Sequence, residues 1–124
     1  MVFDLGANLG AWSLKVLENK KNVNLHLFEA SPYTYQSLLQ NMANYIEAEK
    51  LFLNQFAISS QDSFQAFYFY ENHPTLSGIY RGDIKLEERL KLGVPKSISV
   101  PTTSLDSYCG TMDIKRINFI KIDV

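Results

Sequence analysis

The first half of the chain alternates between short apolar runs and segments whose apolar residues recur at helical spacing. Residues 2–5, 23–28 and 51–58 are runs of strand length, bounded by polar or turn-forming residues. Residues 11–19 and 32–47 place apolar side chains along one side of a helix. The order strand, helix, strand, helix, strand predicts two right-handed βαβ crossovers and therefore an α/β fold.

The second half has shorter strands and more turn-forming residues. Residues 64–70 are rich in aromatic side chains and predict an extra strand, whose natural partner is a short strand at 97–102. Pro101 lies in the second of these strands and favours an edge position, because proline has no N–H to donate. Residues 104–108 predict a capped short helix, and residues 117–124 predict a final core strand.

Composition and charge exclude several classes of protein. The chain has 124 residues, of which 46% are hydrophobic and 13% aromatic, as is typical of one folded domain. Its 12 basic and 13 acidic side chains are spread along the chain, so neither nucleic acid nor a membrane is an expected partner. The single cysteine, Cys109, excludes an internal disulfide. No apolar run approaches the roughly 20 residues that cross a bilayer, and we expect a cytoplasmic protein.

Both ends of the chain indicate a fragment of something longer. The first strand begins at residue 2 with no element before it, and no loop follows the strand at 117–124. We therefore expect residues 1–124 to be a partial domain. Its last strand would present an unpaired edge, through which copies of the chain could associate.

A glycine turn joins the first predicted strand to the first predicted helix. Asp4, Gly6 and Gly10 have the spacing Asp-x-Gly-x-x-x-Gly, which differs from the Gly-x-Gly-x-x-Gly of dinucleotide-binding proteins. Asn8 stands where the second glycine of that fingerprint would let a pyrophosphate approach. A ligand without a pyrophosphate fits better over this helix end, and S-adenosylmethionine is the leading candidate. Ala7, between Gly6 and Asn8, is included among the cofactor-binding candidates.

Three polar residues near this turn are candidates for ligand contact. Glu29 ends the second predicted strand, where a carboxylate can accept both ribose hydroxyls of an adenosine; the alternative is a solvated glutamate. Asp4 either orders the loop by accepting backbone N–H bonds or receives the ammonium of the ligand's amino-acid part. Asn8 either reaches the ligand carboxylate or is present because asparagine tolerates left-handed backbone geometry.

Asp123 ends the last predicted strand and faces the same crevice as Gly6 if that strand lies beside the first. It can contact the methionyl part of the cofactor, order the crevice, bind a metal or act as a catalytic base. The alternative is a cap for a following helix. Lys121 points to the same face, either as a partner for Asp123 or as a strand lysine reaching solvent.

Small residues near the end of the third predicted strand suit a flat base. Ala57 and Ser59 lie where an adenine edge would pass, although such residues equally suit a packed strand end. Ser77 belongs to a predicted loop at 75–82 that could fold over the ligand. Residues 86–92 predict one or two helical turns.

We expect no metal site. Neither His26 nor His73 has a second histidine or a carboxylate at the spacing of metal ligands. Cys109 has no helper histidine placed by the sequence and is interpreted as an ordinary small residue. Trp12 and the aromatic run at 67–70 are interpreted as core or interface residues.

Four short motifs, taken together, carry a family resemblance. They are Val-Phe-Asp-Leu-Gly-Ala-Asn-Leu-Gly at 2–10, Leu-Phe-Glu-Ala-Ser-Pro at 27–32, Leu-Asp at 105–106 and Phe-Ile-Lys-Ile-Asp-Val at 119–124. In this order and spacing the chain resembles the FkbM family of S-adenosylmethionine-dependent methyltransferases.

The resemblance implies a Rossmann-like class I methyltransferase fold, with a mostly parallel sheet and helices on both faces, here incomplete at the C-terminus. It also implies O-methylation of a small-molecule or glycan hydroxyl, such as that of a sugar or natural product. It assigns cofactor-site positions to six residues: Asp4, Gly6, Asn8 and Gly10 in the loop, Glu29 at the ribose, and Asp123 near the methionyl group.

The sequence departs from that family in two respects. The closing motif usually continues into Glu-Gly and further strands that build the acceptor pocket, and a segment usually precedes the first strand. We therefore expect the cofactor half without most of the acceptor half. A rival hypothesis is a fragment without activity that acts as an interaction module. An NAD(P) oxidoreductase is disfavoured by Asn8 and by the lack of a Tyr-Lys or Cys constellation.

Overall fold

A computed structural model describes residues 1–20, 22–46, 50–73, 76–79, 85, 88 and 90–124. These residues form one sheet of four strands, a second sheet of three strands, and three helices. None of the helices in these ranges is long and apolar enough to cross a bilayer.

The larger sheet is entirely parallel, as predicted. Its members are β1 (Val2–Leu5), β2 (Leu25–Phe28), β3 (Leu51–Asn54) and β7 (Phe119–Ile122), in the spatial order β3-β2-β1-β7. Val2 pairs with Leu25 on one side and with Phe119 on the other. Because β7 lies beside β1, as the sequence predicted, the carboxyl end of β7 reaches the glycine turn.

Two helices cover one face of this sheet. They are α1 (Ala11–Asn19) and α2 (Pro32–Ile46), with bounds close to those predicted. Leu38 and Met42 of α2 are fully buried against Leu25 and Leu27 of β2. The hydroxyl of Ser31 accepts the N–H of Thr34 at 3.3 Å, which confirms the predicted cap of α2.

The third helix, α3 (Leu105–Thr111), covers the opposite face. It begins at Ser104, whose hydroxyl accepts the N–H of Ser107 at 3.0 Å, as the predicted capped helix requires. Its Tyr108 packs against Phe3 and Phe28 in a second hydrophobic cluster. Helices therefore lie on both faces of the parallel sheet, which confirms the expected Rossmann-like α/β architecture.

The smaller sheet contains β4 (Ala57–Ile58), β5 (Ser63–Phe69) and β6 (Lys96–Thr103), in the order β4-β6-β5. The antiparallel pairing of β5 with β6 confirms the predicted partnership. Gly78 bridges to Tyr68 of β5 through two main-chain hydrogen bonds, of 2.8 and 3.1 Å. The predicted loop at 75–82 is described only at 76–79, and positions 86, 87 and 89 of the predicted turns at 86–92 lie outside the described residues.

Two strand predictions are wrong. The single strand predicted at 51–58 is two strands in different sheets, β3 and β4. The chain turns between them so that Phe56 packs against Phe28 and Tyr108, with ring centroids 5.7 and 5.9 Å away. Pro101 lies on the central strand β6 and not on an edge. It is tolerated there because β4 pairs only with Thr102 and Thr103, so the missing N–H falls outside that ladder.

Candidate functional site

The glycine turn between β1 and α1 is a loop with left-handed backbone positions. Gly6, Asn8 and Gly10 have φ values of 76°, 52° and 84°, a region that glycine enters freely and asparagine tolerates. The N–H groups of Gly6 and Ala7 both donate to the carbonyl oxygen of Phe28, at 3.0 and 2.9 Å. The loop is therefore attached to the end of the neighbouring strand β2.

Both glycines also permit close packing. A Cβ on Gly6 would overlap the main-chain carbonyl oxygen of Asp123, just beyond β7. A Cβ on Gly10 would overlap Cε of Met42 and lie 2.8 Å from Cδ1 of Leu38, both on α2. Gly6 thus lets the end of β7 approach the loop, and Gly10 lets the start of α1 pack against α2.

Glu29 follows β2, and its carboxylate is held by the main chain on two sides. Oε2 accepts the N–H of Asn8 and Oε1 accepts the N–H of Ser31, each at 2.9 Å. Burial raises the pKa of the Glu29 carboxyl above its ordinary value of 4.5, and these two hydrogen bonds oppose the rise. Because only 7% of the residue is exposed, the alternative of a solvated glutamate is wrong.

Asp4 lies fully buried under the loop, within a group of polar side chains that joins three elements. Its Oδ2 accepts the hydroxyl of Ser13 on α1 at 2.6 Å, and its Oδ1 lies 2.9 Å from Nζ of Lys121 on β7. Lys121 also donates to the carbonyl of Gly6 at 3.2 Å and lies 3.4 Å from Oδ2 of Asp123. Lys121 is therefore a partner of Asp123, as one of the two sequence interpretations proposed, and not simply a lysine reaching solvent.

A cavity of about 630 Å³ lies at the carboxyl ends of the parallel strands. Five of the predicted cofactor residues line it: Gly6, Asn8, Glu29, Ala57 and Asp123. Three others lie outside the lining: Asp4, Ala7 and Gly10. The structure thus brings all eight to one end of the sheet, and their binding roles stay predictions.

The cavity has two walls of different composition. The loop wall consists of Gly6, Asn8, Glu29 and Asp123. The name second-sheet wall is given to five other lining residues, which come from β4, β5 and the segment paired with β5: Ala57, Gln65, Phe67, Gly78 and Ile79.

Most of the second-sheet wall was not predicted as part of the site. Only Ala57 was singled out there, together with Ser59 and Ser77, which also line the cavity. Alternation along β5 indicates that Gln65 and Phe67 share a face. It does not indicate what that face meets, because this depends on pairing with the distant strand β6.

The charged side chains that line the cavity are of one sign. Glu29 and Asp123 are the charged side chains among the described lining residues, and both are acidic. Asp123 is at the mouth, with 78% of its side chain exposed, whereas Glu29 is deep. Among the described residues, no group forms a hydrogen bond with the buried Oδ1 of Asn8, so a ligand with a donor group would satisfy it. The wall is suited to a ligand that carries positive charge and donor groups.

His26 lies in the core behind the site. Its Nδ1 is 2.7 Å from the hydroxyl oxygen of Tyr108, and its ring stacks on Phe52 with centroids 4.3 Å apart. Burial, with a smaller effect from the charged N-terminus, lowers the pKa of His26 from 6.5 to about 4. Within the described ranges, no three side chains of the metal-ligating types converge on one point.

Comparison with known proteins identifies the family. The family model of the methyltransferase FkbM domain matches residues 4–124, a span that includes the loop wall and all strands except the first two residues of β1. No curated protein and no solved structure gives a significant match. The match covers nearly the whole chain, in agreement with the four motifs seen in the sequence. The chain belongs to the FkbM family of methyltransferase domains.

Proposed function

We propose that the cavity binds S-adenosylmethionine, and that the domain methylates an oxygen of a small-molecule or glycan hydroxyl acceptor. The observation that carries the proposal is the Glu29 carboxylate, which lies deep in the lining and is hydrogen-bonded to the glycine loop through Asn8. This hydrogen bond connects Glu29, which is predicted to bind the ribose, to the loop that is predicted to bind the methionyl group.

The residues of the loop wall fit such a cofactor. Each oxygen of Glu29 accepts one main-chain N–H, and a carboxylate has about four acceptor positions in all, so positions remain for ribose hydroxyls. The partnerless Oδ1 of Asn8 can accept a donor of the amino-acid part. The acidic character of the wall suits a ligand with a sulfonium and an ammonium group.

When bound, S-adenosylmethionine supplies an electrophilic methyl group on its sulfonium. The protein contributes the position of the acceptor and the exclusion of water, an effect that can lower a barrier by about 7 kcal/mol or more. Asp123 is the candidate general base, because its exposed carboxylate stands at the mouth and can accept a hydroxyl proton. The second-sheet wall is uncharged, which favours a neutral hydroxyl acceptor over a phosphorylated one.

Calorimetric titration with S-adenosylhomocysteine tests the proposal. We expect saturable heat for the wild-type chain and a binding constant at least about tenfold weaker for Glu29→Ala, because the ribose hydroxyls lose a charged acceptor. Gln65→Ala on the second-sheet wall is the matched control and should bind normally. Absence of heat at high ligand concentration would refute cofactor binding.

A second function is favoured by the exposed edge of the larger sheet. β7 is the last strand of that sheet in the described residues, and 54% of Phe119 and 66% of Ile122 are exposed. An open, apolar strand edge is a template for pairing with another chain. The alternative function is therefore an inactive interaction module, and the same titration separates the two.

A further inference from the structure

Lys121 is a charged side chain near the site that the proposed reaction does not use. It projects from β7 toward β1, and only 21% of its side chain is exposed. It lies outside the described lining of the cavity, so it is not a candidate for direct ligand contact. Two of its contacts, Gly6 and Asp123, nevertheless belong to the loop wall.

Three oxygen atoms converge on its ammonium group. They belong to the carboxylate of Asp4 at 2.9 Å, the main-chain carbonyl of Gly6 at 3.2 Å and the carboxylate of Asp123 at 3.4 Å. The ammonium donates a hydrogen bond to the Gly6 carbonyl, and the two carboxylate oxygens lie within ion-pair distance of it. An ammonium group thus links β1, the loop and the end of β7.

Each of these contacts has a different consequence. Asp4 is fully buried, and a buried carboxylate without a cation is strongly destabilising, so that contact supports the fold. The Gly6 contact acts on the loop itself. Since the N–H of Gly6 is held by Phe28 and its carbonyl by Lys121, both ends of that residue are fixed.

We propose that Lys121 is a positioning residue for the cofactor: it holds the Gly6 carbonyl so that the loop keeps its ligand-binding shape. This inference rests on the proposed function, because the loop is the predicted methionyl site. It is separate from the role of balancing Asp4, which any buried cation in that place would perform.

A set of variants separates the two roles. Asp4→Asn removes the buried charge and leaves the Lys121 contact with Gly6, whereas the double variant Asp4→Asn/Lys121→Met removes that contact without leaving a buried carboxylate unpaired. Asp4→Asn serves as the reference, and we expect the double variant to bind S-adenosylhomocysteine about tenfold more weakly than Asp4→Asn, from loss of a charged hydrogen bond. Equal affinity of the two variants would overturn the proposal.

Amide hydrogen exchange at residues 6–8 gives a second readout that needs no ligand. In the double variant these amides should exchange at least about tenfold faster than in Asp4→Asn, while amides in β2 stay protected. If wild type does not bind S-adenosylhomocysteine but the exchange difference appears, the proposed function fails and the positioning role stands. If exchange at 6–8 is the same in both variants, Lys121 does not position the loop.

Lys121→Arg covers the case in which the double variant does not fold. It keeps a cation facing Asp4 and therefore the fold, but a flat guanidinium cannot place one nitrogen between the same three oxygens. We expect weaker binding of S-adenosylhomocysteine and faster exchange at residues 6–8 than in wild type. Wild-type values for both measurements would overturn the proposal.

Discussion

The loop wall and the second-sheet wall enclose the same cavity but are built in different ways. On the loop wall, Glu29, Asn8 and Gly6 are held by hydrogen bonds that cross from one element to another. On the second-sheet wall, strand pairing holds the main chain, the side chain of Gln65 donates to the hydroxyl of Ser59 at 3.0 Å, and a Cβ added to Gly78 would meet no atom within 4 Å. A larger side chain at Gly6 would overlap the main chain, whereas one at Gly78 would meet open space.

This difference indicates a division of roles between the two walls. In the proposed function the loop wall would hold the cofactor, whose fixed structure needs partners held in place by main-chain geometry. In the same proposal the second-sheet wall, which presents side chains from a strand and a paired segment, would face the acceptor. The predictions below test this contrast, beginning with the largest expected effect.

Gly6→Val should abolish binding of S-adenosylhomocysteine. A β-branched residue at a φ of 76°, with its Cβ overlapping the carbonyl of Asp123, should weaken affinity by about a thousandfold or more. The helical circular dichroism should largely remain, because the atoms nearest to the added side chain belong to Asp123 and Val124 and not to a helix. Gly78→Val on the second-sheet wall is the control and should bind within about threefold of wild type. Similar losses for both variants would remove the contrast.

Acid should destabilise the core behind the loop wall through His26. Its pKa falls from 6.5 to about 4 on folding, so between these values the unfolded chain binds more protons than the folded one. The free energy of unfolding should therefore decrease by up to about 3 kcal/mol through His26 as the pH falls from 6.5 to 4.

Urea unfolding at pH 7 and pH 4.5, compared between wild type and His26→Phe, measures this loss. The phenylalanine variant should lose less stability over the interval, because other acid effects are shared by both proteins. An equal loss in both would show that His26 does not titrate in this way. Exchange measured at both pH values should locate the opening in the larger sheet, since the described lining of the second-sheet wall has no titratable side chain.

Glu29→Gln should weaken binding of S-adenosylhomocysteine by about tenfold, because glutamine has one acceptor oxygen for two main-chain N–H groups and for the ribose. In wild type, affinity should fall as the pH is lowered through the pKa of Glu29, which lies above 4.5, since a protonated carboxyl accepts less well.

Glu29→Gln and a control variant, Gln65→Leu, should differ in how their affinity for S-adenosylhomocysteine depends on pH. In Glu29→Gln the pH dependence from this group should disappear, whereas Gln65→Leu on the second-sheet wall should keep it. The free energy of unfolding responds to pH in the opposite direction. Because the pKa of Glu29 is raised on folding, the folded chain binds more protons than the unfolded chain, and Glu29 therefore makes it more stable as the pH falls. A wild-type affinity that does not change with pH would contradict the ribose role of Glu29.

The smallest effect concerns the outer edge of β7. Ile122→Lys places a charge on an exposed strand edge and should change stability by less than about 0.5 kcal/mol. If copies of the chain associate through this edge, the variant should elute later than wild type in size-exclusion chromatography at high concentration. Val94→Lys, at an exposed apolar residue elsewhere, is the control. Wild type that elutes as a sharp monomer would argue against association.

Local pattern was sufficient to predict much of the fold. The alternation of apolar runs and helical repeats gave the bounds of α1, and the polar residue after β2 marked Glu29 as part of the site. The rule that ligands bind where strands end predicted that Asp123 would face Gly6. These features depend on short segments, or on a general property of parallel sheets.

The features that could not be predicted depend on pairs of residues distant in the chain. The break between β3 and β4 follows from the packing of Phe56 on Phe28 and Tyr108. The role of Lys121 was left open because its distance to Asp4 is set by the register of β7 on β1. Most of the second-sheet wall was missed for the same reason.

The main-chain contact between Gly6 and Asp123 has a consequence for the order of folding. We expect the loop at 6–10 to reach its final form only after β7 has docked, because the main chain of Asp123 lies directly against Gly6. This contact joins residues 6 and 123, which are far apart in the sequence, and contacts between distant residues form slowly. A ligand that recognises the finished loop would therefore select fully assembled molecules and draw the folding equilibrium toward them.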